Sequence, residues 1–286
     1  MGSVVYIGKG QRREHAEAPS REAESLLRPG YNCWSVAKTE RVALLIDAKD
    51  YFEAFYRAAL KAERSIVILA WDFNSRTRLH FDPVPKGGPP AELGEFLNFL
   101  VRRRRGLHIH ILNWDYPMVF GADREFPPLY GFGWKPANRV HLRYDDTHPL
   151  GGCQHQKVVV IDDALAFSGG IDLTVRRWDT TEHIGCDDRR KASDKPYPPF
   201  HDMMVAVDGE AAAQLGTLAR ERWLAATGHR LQPIAGGHDP WPEGLAPDTT
   251  DVEVGIARTM PPHGEAPAIR EIERLYLDMI ASARHT

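Results

Sequence analysis

His155 and Lys157, two positions apart, are where this sequence points most directly to chemistry. They lie in the run Gln154-His155-Gln156-Lys157-Val158-Val159-Val160-Ile161-Asp162, whose β-branched stretch reads as a strand. On a strand, residues two apart share a face, so the imidazole and the ammonium project side by side while Val158 and Val160 enter the opposite layer. Such neighbours repel when both are charged. An anion between them reverses that, and a phosphate ester is the natural candidate. A neutral His155 can attack phosphorus as a nucleophile, with Lys157 donating to a non-bridging oxygen as charge builds in the transition state. Asp162, seven residues after the histidine, suits bracing the turn better than reacting. The alternative is structural: two ordinary strand-edge side chains, the lysine reaching to solvent.

Further segments accompany this run in a fixed order. Asp145-Asp146-Thr147-His148-Pro149 precedes it; Phe167-Ser168-Gly169-Gly170-Ile171-Asp172-Leu173, Arg177-Trp178-Asp179-Thr180-Thr181-Glu182-His183 and Phe200-His201-Asp202 follow. Over about residues 41–286 the sequence resembles the phospholipase D superfamily, whose signature is HxKxxxxD, then a Gly-Ser or Gly-Gly turn and an Asn or Asp. His155-x-Lys157-x4-Asp162 fits that signature, and Gly169-Gly170-x-Asp172 has the Gly-Gly form of the phospholipid-cleaving, cardiolipin synthase-like branch.

The resemblance implies an α/β/α sandwich lobe with a mixed β-sheet. It also implies two HxK motifs facing across one site, from two halves of a chain or from two subunits. One histidine becomes a phosphohistidine; the other serves as general acid, then base. On this basis His155 is the nucleophile, Lys157 binds phosphate, Asp162 completes the catalytic motif, and Asp172, beside Gly170, supports a histidine. Asp179, Glu182 and His201 either orient catalytic groups or form salt-bridged scaffold. The implied substrate is a phospholipid or another phosphodiester, with water or an alcohol as acceptor; no cofactor or metal is implied. Two departures matter. No other histidine has a lysine two residues on, so the second motif is absent, and an acid missing from the leaving alkoxide is worth roughly 10²- to 10⁴-fold in rate. Gln154 stands where many relatives have another histidine. An inactive phosphate-binding or interaction module is the competing reading from another class.

The elements that must position these residues are legible as periodicity. Val42 to Ile46 is an apolar run, Asp47 a candidate N-cap, and Phe52, Phe55, Tyr56, Ala59 and Leu60 make one stripe of a helix over 48–63. Strands are expected at 65–71, 107–112, 140–144, 157–161, 165–168 and 203–207, with helices over Leu93 to Gly106 and 211–226. Strands alternating with helices predict an α/β layered domain. Arg102 to Arg105, which could suggest a nucleic-acid patch, also suits the last turn of a helix and its dipole. Trp71, Asp72, Trp114, Tyr116, Phe132 and Trp134 follow strand ends and either line an acyl or headgroup pocket or pack in the core. His108-x-His110, and His183 near Cys186, Asp187 and Asp188, match no HExxH, CxxC or EF-hand pattern and read as structural histidines.

The organisation expected is an irregular leader over 1–40, the HxK lobe over 41–226, a Pro/Gly linker over 227–250, and over 251–286 the beginning of a second, truncated lobe. The last segment holds a strand at 252–256 and a helix from Pro267 with Ile269, Ile272, Tyr276, Met279 and Ile280 on one face. At a constant offset this helix aligns Ile272 with Phe52, Leu275 with Phe55, Tyr276 with Tyr56, Ile280 with Leu60 and Arg284 with Arg64. A missing C-terminal lobe or a second subunit is therefore an expected partner, together with an exposed apolar face where it docks. With 36 basic and 39 acidic side chains the formal charge is 36 − 39 = −3, which makes nucleic acid an improbable partner. Three cysteines without a CxxC pair, no signal-like start and no long apolar run lead us to expect a cytoplasmic chain with at most peripheral membrane contact.

Overall fold

The run Ser-Ile-Val-Ile-Leu-Ala has no polar residue after its first, and a strand of that texture must be buried on both faces. It forms an interior strand of a mixed sheet in the computed structural model, which describes residues 2–7, 25–115, 134–149, 151–235 and 237–283. Tyr116, Phe132, Arg284 and Thr286 lie outside the described residues. In chain order the main elements are β1 (Gly2–Ile7), β2 (Ser35–Ile46), α1 (Asp47–Lys61), β3 (Ser65–Ala70), α2 (Leu93–Arg103), β4 (His108–Trp114) and β5 (Val140–Asp145). They continue as β6 (Lys157–Ile161), β7 (Leu165–Gly169), the short pair β8 (Lys191–Ala192) and β9 (Lys195–Pro196), β10 (Met203–Asp208), α3 (Gly209–Thr227), β11 (Thr249–Met260), β12 (Ile269–Arg270) and α4 (Glu271–Ser282).

The strand order is β1-β11-β2-β10-β7-β6-β3-β4-β5, with β12 added on β11. Only β3–β4 and β4–β5 are parallel; the remaining pairs along the path are antiparallel. Alternation along each strand divides the core between two layers. Ile66, Ile68, Val159 and Ile161 pack with Phe52 and Phe55 of α1 and Phe96 and Leu97 of α2. Val67, Leu69, Val158 and Val160 pack with Leu215, Leu218 and Trp223 of α3. This is the α/β/α sandwich with a mixed sheet. Arg104, next to the end of α2, donates through Nη2 to the carbonyl of Leu60 at 2.8 Å, a tie between helix ends.

Several expectations are corrected. The irregular leader is interrupted: β2 already begins at Ser35, and Gly2–Ile7 pairs with β11. The segment expected to open a second lobe lies in the same sheet, where β11 runs antiparallel to β2 from Thr249↔Val42 to Ile256↔Ser35. Asp47 does not cap α1; it is the helix's first residue, with φ of 65° and no side-chain capping bond. The last helix starts at Glu271 because Ile269 and Arg270 pair with Met260 and Thr259 first. Of its expected apolar face, Ile272 and Met279 pack beside the buried Leu275, which was not counted on it, whereas Tyr276 and Ile280 are 53% and 70% exposed. Among the described residues no helix is long and apolar enough to cross a membrane.

Asp162 sits past the far end of β6 from Lys157 and is 2% exposed. Its carboxylate accepts the backbone N–H groups of Glu63 (2.6 Å), Arg64 (2.8 Å) and Ser65 (2.6 Å), closing the α1–β3 turn. It braces the sheet rather than facing the chemistry. Truncation to alanine strands three N–H donors, so Asp162→Ala is expected to lower stability by about 2–4 kcal/mol in urea unfolding. A loss below about 0.5 kcal/mol would show that water replaces the carboxylate at no cost.

Candidate active site

Lys157, the first residue of β6, is held beneath the surface by a partner at the turn after β7. Its Nζ lies 3.2 Å from Asp172 Oδ2, with side-chain exposures of 5% and 1%. The other carboxylate oxygen of Asp172 accepts the backbone N–H of Trp71 at 2.9 Å, so one residue ties the ends of β3, β6 and β7 together. Burial, the larger cause for each, lowers the Lys157 ammonium and raises the Asp172 carboxyl from their ordinary values, while their attraction opposes both shifts. Lys157 also donates to the backbone carbonyl of His155 at 3.2 Å. The cation is thereby fixed directly under the histidine.

His155 itself is exposed. Its ring meets the Trp71 indole edge-on at 6.0 Å between centroids, and Trp71 stacks on Trp114 at 5.7 Å. Trp114 in turn donates through Nε1 to His148 Nε2 at 3.0 Å. These rings form an apolar wall on one side of the nucleophile candidate. The surrounding protein, and then the charge of Lys157, lower the His155 pKa from 6.5 to about 4; the Arg177 charge acts in the same direction and Asp202 opposes it. The imidazole is therefore neutral at physiological pH, the form that can attack.

The Gly-Gly turn is dictated by what crosses it. A Cβ at Gly169 would meet the Met203 carbonyl, and one at Gly170 would collide with the Asp202 carboxylate. Asp202 is thereby pressed against the turn that leads to Asp172, near enough for its charge to reach His155. Alongside, Asp179 is wholly buried: Oδ1 accepts the Thr180 N–H at 2.9 Å and Arg190 Nη1 at 2.8 Å, and Oδ2 the Phe200 N–H at 2.9 Å and His183 Nδ1 at 3.0 Å. Burial alone would raise its pKa, but these hydrogen bonds together outweigh it and hold the carboxyl below the ordinary range.

The structure thus brings His155, Lys157, Gly170 and Asp172 together. Asp179 and His201 occupy an adjoining polar cluster, Asp162 lies at the other end of β6, and Glu182 stands exposed with no hydrogen bond among the described residues. Trp71 and Trp114 reach the site, whereas Trp134 packs against the core side of Phe73 at 5.8 Å. Sequence reasoning passed over Asp47 as a site residue and read it as a helix cap. Its side chain instead accepts His201 Nδ1 at 2.8 Å, and the one available signal was an aspartate with no capping glutamate three residues on. Asp172→Ala leaves a buried ammonium unpaired and is expected to cost about 3–5 kcal/mol in chemical unfolding. Adding Lys157→Leu to that variant should restore most of the loss; equal instability of single and double variants would mean that the pair is not what holds the three strand ends.

No family model matches the chain. It is similar to phospholipase D C of Dictyostelium discoideum, 25% identical over 209 residues that cover 62% of this chain and 12% of that protein. It is also similar to phospholipase D1 of Saccharomyces cerevisiae, 26% identical over 215 residues covering 63% and 12%. With phospholipase D beta 2 of Arabidopsis thaliana it shares 28% identity over 237 residues, covering 64% and 24%. The chain therefore matches no more than about a quarter of these relatives' own length. Among solved structures it is similar to NucT from Helicobacter pylori, with a TM-score of 0.42, 12% identity, and coverage of 65% of this chain and 96% of that one. With the ordered motifs around His155 and Lys157, these similarities relate the chain to the phospholipase D superfamily.

Proposed function

We propose that this chain supplies the nucleophilic half-site of a phospholipase D-type phosphodiesterase that hydrolyses or transfers a phosphatidyl group. One observation carries the reading: an exposed, uncharged histidine stands over a buried lysine whose charge is compensated from below by Asp172. A phosphodiester entering over His155 would find a desolvated ammonium held by the Asp172 carboxylate and the His155 carbonyl. Lys157 then donates to a non-bridging oxygen, and Arg177 adds positive potential.

In the first step an imidazole nitrogen attacks phosphorus, a P–N bond forms, and the P–O bond to the headgroup breaks. The departing alkoxide takes a proton from a general acid. In the second step water or an alcohol attacks phosphorus, gives up its proton to the base now present, and the P–N bond breaks to regenerate His155. The sequence contains no second HxK, so we assign the acid to a facing half-site, on a further lobe or a second subunit. A phospholipid at a membrane surface is favoured by the Trp71–Trp114 wall and by the names of the relatives. The formal charge of −3 speaks against a nucleic-acid diester.

The acid is dispensable when the leaving group departs as a stable anion, which separates the two halves of the reaction experimentally. With bis(4-nitrophenyl) phosphate, a burst of nitrophenolate stoichiometric with protein is expected, with a mass increment on His155. Both should vanish in His155→Ala and fall at least about 10²-fold in Lys157→Ala. A burst unchanged by His155→Ala would sink the assignment.

The rate should also report the depressed histidine. Because protonation of His155 is disfavoured in the folded chain, the acid limb of the burst is expected near pH 4, not near 6.5, and removal of the neighbouring charge in Lys157→Met should move that limb upward. A limb near pH 6.5 in the unsubstituted protein would contradict the electrostatics.

A further inference from the structure

We propose that Asp47, His183 and His201 form a binding site for a zinc-type divalent cation beside the half-site, in contrast to the metal-free chemistry that the sequence resemblance implies. The three side chains are far apart in sequence and converge at the start of α1. The Asp47 backbone N–H donates to the Asp202 carbonyl at 2.9 Å, which fixes the residue in its left-handed conformation and turns its carboxylate under the two histidines. Ligand atoms from all three lie within 4.8 Å of one another.

The tautomer of His183 makes the case. Its Nδ1 faces Asp179 Oδ2 at 3.0 Å, and an ionised carboxylate can only accept, so the ring proton is on Nδ1. In the neutral ring Nε2 then carries a lone pair and lies 3.4 Å from Asp47 Oδ2. That oxygen is buried and has no hydrogen-bond partner among the described residues. A lone pair and a buried carboxylate oxygen at that separation, with no hydrogen bond between them, are neighbours that a cation in the gap would reconcile. Buried carboxylate to histidine Nδ1, with Nε2 toward a second ligand, is the arrangement by which proteins orient and strengthen a metal-bound imidazole.

A proton on His183 could answer the same need, and three features favour a metal. Tetrahedral zinc with ligands at about 2.0–2.1 Å holds them about 3.4 Å apart, the separation already present between Asp47 Oδ2 and His183 Nε2. The charge of Asp179 is matched by the buried Arg190, leaving that of Asp47 without a permanent cation among the described residues. Third, His201, whose Nδ1 donates to Asp47 Oδ1 at 2.8 Å and whose Nε2 is therefore its ligand nitrogen, is 68% exposed, so the cluster opens to solvent. Two imidazoles and one carboxylate select zinc-like ions over magnesium or calcium, which prefer oxygen ligands only. Because Asp202 follows His201 and presses on Gly170, a bound cation would fix the approach of Asp202 to the half-site.

The test uses the full chain without a purification tag, stripped by a chelator and dialysed. Titration with Co²⁺ should give one equivalent with visible absorption of a low-symmetry site, displaced by Zn²⁺ and not by Mg²⁺ or Ca²⁺. His201→Ala, at an exposed position where folding is not at stake, should abolish the absorption, as should Asp47→Asn; His155→Ala should leave it intact. Asp179→Asn should weaken binding by about 10–100-fold through loss of the imidazole's support. Absence of Co²⁺ absorption, or absorption retained in both His201→Ala and Asp47→Asn, would overturn the site and leave a protonated His183 as the gap's occupant. Since the half-site's nitrophenolate burst is measured separately, its failure does not touch this result.

Discussion

An ammonium cannot be taken out of water without an anion beside it, and the Lys157–Asp172 pair is how this fold meets that constraint. The rest of the candidate site follows from it. Nearly completely buried, Asp172 accepts from Trp71 and lies 3.2 Å from the Lys157 ammonium, whose charge opposes the rise that burial causes; Trp71 is thereby locked at the end of β3, where its indole becomes the wall beside His155. The lysine, held from below, adds its effect to that of burial in disfavouring protonation of the imidazole. One buried pair thus sets the position of the phosphate clamp and the wall and contributes to the charge state of the nucleophile.

A second constraint is steric. The chain entering β10 passes so close to the turn after β7 that no side chain fits at Gly169 or Gly170. That close approach brings Asp202 to the half-site and carries His201 toward Asp47. The glycines are thus specified by contact between two segments more than thirty residues apart, 202 − 170 = 32, and not by a need for unusual backbone angles.

Much of this was legible in the sequence, and the limits have physical reasons. The β6 strand, the helices around Phe52 and Phe96, and the bracing role of Asp162 follow from local period and from a carboxylate placed one residue past a buried strand. The pairing of Lys157 with Asp172 was not legible: the resemblance implied that Asp172 supports a histidine, and nothing local says which carboxylate reaches a given lysine. The start of β2 at Ser35 was obscured because polar residues interrupt its first half, with Lys38 and Glu40 facing outward and Thr39 buried. The last helix was placed too early because β12 pairing with β11 competes for Ile269, and long-range pairing leaves no trace in periodicity. Asp47 was misread for a similar reason: an aspartate before a helix has a common local role, and its contacts with residues 183, 201 and 202 are invisible along the chain.

The position of β2 in the sheet governs the order in which the molecule can be made. Its neighbours are β10 and β11, so Ile46 waits for Met203, 203 − 46 = 157 residues later, and Val36 waits for Gly255. The β3, β4 and β5 strands, by contrast, pair in chain order. During synthesis the strands of the parallel edge and of the β6–β7 hairpin, with Lys157 in it and Asp172 just after it, are all available while β2 still lacks its neighbours. Closure of the sheet, and with it the meeting of Asp47 with His183 and His201, has to wait for these distant segments of chain.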